Sequence, residues 1–122
     1  MARLLVLTLT LVSTIAIQAQ PASVAGIWTV NSLVSGNEST QTCTFTQKDA
    51  DLSGTCKGDR GSFQITGKVD GKTVTWQFDM DYEGQKLTPA YTGTLESADK
   101  MAGTVTIGGM GLGGEFTATR AK

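Results

Sequence analysis

Three groups of residues in this chain have types and spacings that could do chemistry. Cys43 and Cys56 could form a disulfide or remain as two buried thiols. Asp79-x-Asp81-x-Glu83-Gly84 echoes the first half of a calcium loop, and Gly108-Gly-Met-Gly-Leu-Gly-Gly114 has the composition of a phosphate cradle. The acidic alternation fails as a calcium loop because the position that should supply a bidentate Glu is Ala90. It reads instead as a strand running into a solvated turn. The glycine run is followed by neither a helix nor a Lys-Ser/Thr pair, so a loop between two strands is its expected structure. Histidine is absent from the sequence, which removes the commonest acid–base residue and metal ligand and rules out Ser–His and Cys–His nucleophile pairs. The chain is therefore read as non-enzymatic, with no catalytic residue, no metal ligand set and no cofactor.

The elements that must position these residues are strands. The pattern apolar-x-Gly-(Thr/Lys)-apolar occurs at Leu52–Cys56, Ile65–Val69, Tyr91–Leu95 and Met101–Val105. With a side-chain period of two, both apolar residues and the glycine share one face, where the glycine lets the strand bend or lets a large neighbour cover it. A strongly curved, closed sheet follows. No segment shows a helical apolar period.

Hairpins can be paired outward from their turn residues. A type I′ turn at Asp70-Gly71 sets Ile65 opposite Trp76 and Phe63 opposite Phe78. A turn at Glu83-Gly84 sets Met80 opposite Leu87 and Trp76 opposite Tyr91, with Asp81 meeting Lys86 outside. A loop at 97–99 sets Leu95 against Met101, Gly93 against Gly103 and Tyr91 against Val105. A turn at Asp49-Ala50 places Phe45 over Gly54 and Cys43 directly opposite Cys56, a separation at which a disulfide can close. Such a bridge contributes about 3 kcal/mol in the chain-entropy model.

The predicted strands are 25–31, 39–47, 52–58, 61–69, 72–82, 85–95, 101–108 and 115–121: an all-β, eight-stranded antiparallel up-and-down (meander) barrel. Its interior is wide enough to be filled by side chains or to hold one small ligand. An open sandwich of seven or eight strands is the alternative architecture.

Residues 1–19 lie apart from this pattern. Arg3, an apolar and threonine-rich run from Leu4 to Ile17, and Ile17-Gln-Ala19 together read as a secretory signal peptide cut after Ala19. The run is shorter than the roughly 20 apolar residues of a membrane span, so no membrane insertion of the mature chain is expected. Residues 20–122 then form a single domain, secreted or periplasmic. Without Arg3, nine Lys and Arg face eleven Asp and Glu, dispersed without runs, and nothing in that balance attracts nucleic acid.

Gly26-Ile27-Trp28 at the start of the first strand and Arg120 at the end of the last resemble the barrel-closing motif of the calycins. That group includes lipocalins, avidins and small bacterial metalloprotease inhibitors. The resemblance implies a structural role: Trp28 plugs one end of the barrel and Arg120 packs across it.

Three functional readings follow. An inward set of Trp28, Phe45, Phe63, Trp76, Phe78, Met80, Tyr82 and Tyr91 either fills the barrel or lines a cup. Within it Phe63, Trp76, Phe78, Met80 and Tyr91 are the candidate ligand-binding residues for a small apolar molecule. The resemblance to the inhibitors implies instead a secreted protease as partner, engaged by the N-terminal arm at 20–24. Outward Thr-x-Thr ranks such as Thr42-x-Thr44-x-Thr46 resemble ice-binding faces, but those must be flat and a small barrel twists strongly.

Overall fold

Period-two alternation broken by two- and three-residue turns drives the chain into antiparallel strands along almost its whole length. The computed structural model describes residues 22–121. The signal peptide and cleavage site expected at 1–19, residues 20 and 21 of the arm, and Lys122 lie outside the described residues. The strands are β1 (Gly26–Val34), β2 (Asn37–Lys48), β3 (Asp51–Gly58), β4 (Gly61–Asp70), β5 (Thr73–Gln77), β6 (Met80–Tyr82), β7 (Gln85–Ser97), β8 (Lys100–Gly108) and β9 (Leu112–Arg120). The sheet order is β5-β4-β3-β2-β1-β9-β8-β7-β6, and β5 also pairs with β7, which closes the sheet on itself. Because β5 and β6 face β7 in one continuous register, they are two halves of one broken strand. The molecule is a closed eight-stranded antiparallel barrel. Among the described residues there is no helix, and so none long and apolar enough to cross a membrane.

Most registers are those set by the turn residues. Phe45 faces Gly54, Cys43 faces Cys56, Met80 faces Leu87, Asp81 faces Lys86, Trp76 faces Tyr91, and Gly93 faces Gly103. The cysteines form a disulfide across β2 and β3, with Cα atoms 4.0 Å apart and both residues fully buried.

Three features differ from the sequence reading. The β4–β5 hairpin is shifted by two residues: Asp70 pairs with Thr73, Val69 with Val74 and Gly67 with Trp76. Gly71, at φ +59°, takes the first central position of the turn, where a type II′ turn needs glycine. A shift of two keeps every side chain on its face and sets Trp76 opposite a glycine. Next, the fifth strand does not run unbroken from 72 to 82 but lapses at Phe78-Asp79. Phe78 N–H donates to Pro89 O at 3.3 Å, and the proline has no N–H to return, so the ladder fails at that pair. Third, β1 and β2 extend beyond 31 and before 39 to a tight turn at Ser35-Gly36, both with positive φ.

Inside, the four glycine-centred repeats all present their apolar residues to the core. A Cβ on Gly67 or Gly103 would lie 1.9 Å from a carbonyl oxygen of the paired strand, so the backbones meet there more closely than any side chain permits. A Cβ on Gly93 would meet the Phe116 ring at 2.8 Å. Trp28, Trp76, Phe45, Phe116, Met101 and the disulfide make the continuous core.

Candidate functional site

The barrel's two ends are built differently. At the end carrying the 49–50, 71–72 and 98–99 turns, Trp28 on β1 is directly opposite Arg120 on β9. The indole is fully buried and its Nε1 donates to Val24 O at 2.9 Å. Over it stands the Arg120 guanidinium, 4.6 Å from the ring centroid. That group donates to the carbonyls of Ser23 at 3.0 Å, Ala98 at 3.1 Å and Ala25, and lies 3.3 Å from Asp99 Oδ1. Gly26 leaves room beneath it, since a Cβ there would fall 2.9 Å from Nη1. Cation–π attraction and donation to three carbonyls together hold this end shut.

The described part of the N-terminal arm is tied across the same end. Val24 is fully buried, its N–H donates to Gln47 Oε1 at 2.8 Å, and Gln47 Nε2 donates to Ala22 O at 3.0 Å.

The opposite end, bounded by the 35–36, 59–60, 83–84 and 109–111 turns, is open. It holds a cavity of about 420 Å³. The floor follows from the break in the fifth strand: β4 pairs with β5 only as far as Thr66 and Gln77, and above that point Phe63 and Phe78 stack across the seam at 4.9 Å and 21°. Phe78 continues to Tyr91 at 6.3 Å and 22°, and Tyr91 to Trp76 at 4.9 Å and 6°. Four near-parallel rings thus run from the mouth into the core, with Phe45 and Phe116 tilted against Trp76.

Of the five residues expected to touch a ligand, Phe63, Phe78, Met80 and Tyr91 line the cavity. Trp76 does not: it lies beneath Tyr91, 2% exposed, with its Nε1 buried and unpartnered. Neither alternative for the inward set holds for the whole barrel, because the half nearest Trp28 is filled and the half nearest the mouth is a cup. Tyr82 lines the cavity only at its rim, 41% exposed, under the Arg60 guanidinium at 5.2 Å.

The sequence reading missed the rest of the lining. Leu87, Pro89, Val105 and Ile107 from β7 and β8 form an apolar wall, while Ser32 and Gln41 from β1 and β2 face it. Gln41 alternates inward with Cys43 and Phe45, a signal the period of two contains; Ser32 lies beyond the expected end of the first strand. Burial raises the Tyr91 hydroxyl above its ordinary value near 10, with the Ser32 hydroxyl acting in the opposite sense. The acidic alternation is a surface turn: Asp79 accepts from Thr88 Oγ1 at 2.8 Å and pairs with Lys86 at 3.5 Å.

No protein-family model matches the chain, and no curated protein is similar to it. Solved structures are. A redesigned β-barrel, mFAP0, bound to DFHBI superposes with a TM-score of 0.61 at 19% identity, covering 79% of this chain and 97% of that one. A second redesigned β-barrel, b11L5F_LGL, gives 0.59 at 19% identity, over 80% of this chain and 91% of its own. A third, mFAP1, bound to DFHBI, gives 0.57 at 15% identity, over 80% and 94%. At these identities the likeness establishes the fold, a closed antiparallel β-barrel.

Proposed function

We propose that this protein is an exported, non-enzymatic binding barrel of calycin type that takes one small, largely apolar molecule into its open end. The observation that carries the reading is the cavity of about 420 Å³ above a floor of stacked aromatic rings, within the size range of small-molecule sites. Two of the similar barrels, mFAP0 and mFAP1, hold DFHBI, which supports the use of this architecture for a small ligand. The closed end, with Trp28 and Arg120, is the calycin-like feature and serves the fold rather than the ligand. A protease-inhibitor role gains no support from residues 22–24, which are bound to the barrel rather than free to enter a cleft.

A thermal-shift screen of uncharged small aromatic and terpenoid compounds tests this reading. A ligand at a hundredfold excess over its Kd stabilises the native state by about 2.7 kcal/mol, an easily read shift. Trp76 emission reports the same event through Tyr91, on which it stacks. A flat thermal and fluorescence response across the library rejects the reading.

A further inference from the structure

Charge is confined to the rim of the cavity. Glu38, Asp59 and Arg60 are the charged residues of its lining, and all of them are exposed. The rest of the wall includes the hydrocarbon of Leu87, Pro89, Val105 and Ile107 and the stacked rings of Phe63 and Phe78. A ligand that carries a charge keeps it hydrated only by leaving it at the rim while its apolar body fills the cup.

The sign of that charge follows from the rim itself. Its carboxylates, Glu38 and Asp59, are joined by Asp81 and Glu83 on the 83–84 hairpin, and among the described residues none of these is in an ion pair. The closed end is different: there Asp51 pairs with Lys68, Glu96 with Lys100 and Asp99 with Arg120. Lys57 and Lys86 lie outside the cavity lining, and Lys86 is paired with Asp79. The basic lining residue, Arg60, is in no ion pair among the described residues. Its guanidinium lies instead over the Tyr82 ring, across the seam where β4 and β6 are unpaired. A cation therefore already occupies an aromatic face at the rim, the arrangement that the quadrupole of the ring favours.

We propose that the cavity takes amphiphilic amines: molecules with a compact apolar body that fills the cup and a protonated ammonium that stays at the rim, where it displaces the Arg60 guanidinium from Tyr82 in the field of Glu38 and Asp59. The inference rests on the mouth cavity being the ligand site and names the class of molecule that this site prefers. Arg60 holds the ammonium position in the empty barrel and moves out into water when a ligand arrives.

Pyren-1-ylmethylammonium, pyren-1-ylmethanol and pyrene-1-carboxylate share one fluorescent body and differ in the charge of the head. Each is titrated into the wild-type protein, the double variant Glu38→Gln/Asp59→Asn, Tyr82→Leu and Arg60→Gln, all of them substitutions at exposed positions that leave the core intact. In the wild type at low salt the ammonium binds about fivefold more tightly than the alcohol and about tenfold or more above the carboxylate. Its advantage over the carboxylate shrinks at about 1 M salt, where charges are screened within about 3 Å. The double variant and Tyr82→Leu each bring the ammonium and alcohol affinities within about twofold of one another, whereas Arg60→Gln, which frees the ring and removes a like charge, widens their ratio about threefold. Equal wild-type affinities for ammonium and alcohol, or tightest binding of the carboxylate, overturn the preference for amines while leaving the cavity a ligand site. A ratio that any of these variants leaves unmoved overturns the placing of the head at Tyr82 among the rim carboxylates. Failure of every probe where the wider compound screen yields a ligand overturns this inference alone, and failure of every probe together with a flat screen overturns the binding role beneath it.

Discussion

A guanidinium that donates to three carbonyls while lying on an indole is a clamp with little freedom, and its two halves are separable by substitution. Removing the fully buried indole leaves a large cavity, so Trp28→Ala should cost about 3–5 kcal/mol in chemical denaturation. Arg120→Lys keeps the charge but loses the planar fork that reaches the carbonyls of Ser23, Ala25 and Ala98 together, and should cost roughly 1–3 kcal/mol. An unchanged denaturation midpoint in either variant would show that the closed end contributes nothing to stability. At the cavity floor the informative residue is Tyr91. Burial raises its folded-state pKa, so above pH 10 the unfolded chain releases this proton more readily than the native one. Its contribution to stability is complete below pH 10 and declines as pH rises through the folded-state value. The alkaline loss of stability should therefore be shallower in Tyr91→Phe than in the wild type, measured as denaturation midpoint against pH from 9 to about 11.5. Parallel profiles would mean that the hydroxyl is solvated in solution.

Strands this curved depend on places where two backbones approach without an intervening side chain. At Gly103 a Cβ would sit 1.9 Å from Thr92 O, an atom fixed in the sheet, whereas at Gly71 it would meet nothing within 4 Å. Gly103→Ala should therefore cost upwards of about 3 kcal/mol, as an overpacked site with no flexible neighbour. Gly71→Ala bears only the strain of a left-handed turn residue, about 1–2 kcal/mol. Comparable losses in the two would mean that the sheet relaxes around Gly103. These glycines are also why so much of the barrel was legible: an apolar-x-Gly-x-apolar unit fixes the inward face, and a Glu83-Gly84 or Asp49-Ala50 turn then fixes the partner. Legibility stopped where two solutions satisfy the same local rules. Turns at Asp70-Gly71 and Gly71-Lys72 are both sound, the registers they set differ by two residues, and neither exposes the core; the register that forms is the one that sets Trp76 opposite Gly67. The break at Phe78-Asp79 was hidden for a related reason, since its cause, Pro89, belongs to the neighbouring strand and acts through the N–H it lacks. The cup depends on that break, so Phe63 and Phe78 could be assigned to the interior from the sequence while the cavity above them could not.

Across the whole molecule the barrel divides into a half that is filled and a half that holds the cavity. Trp28, Met101, Ala118 and the disulfide close and fill the first, all of them fully buried. The second is walled by Leu87, Val105 and Ile107 around open space, with apolar Tyr82, Met110 and Leu112 exposed at its rim. Two enlarging substitutions, one in each half, separate these roles. Ala118→Leu adds volume where Ala118, between Val30 and Met101 in the sheet, is fully buried; overpacking there should cost about 1–3 kcal/mol and leave probe affinity of the folded protein unchanged. Ile107→Trp adds more volume but directs it into the cavity, where it buries apolar surface without displacing a neighbour, so stability should hold or rise. Its effect should fall on binding, as at least a tenfold weakening of pyrene, an uncharged apolar probe. If Ile107→Trp instead destabilises as much as Ala118→Leu, the mouth is as tightly packed in solution as the closed end. The barrel would then have no interior to offer a ligand, and any binding would have to take place on its outer surface.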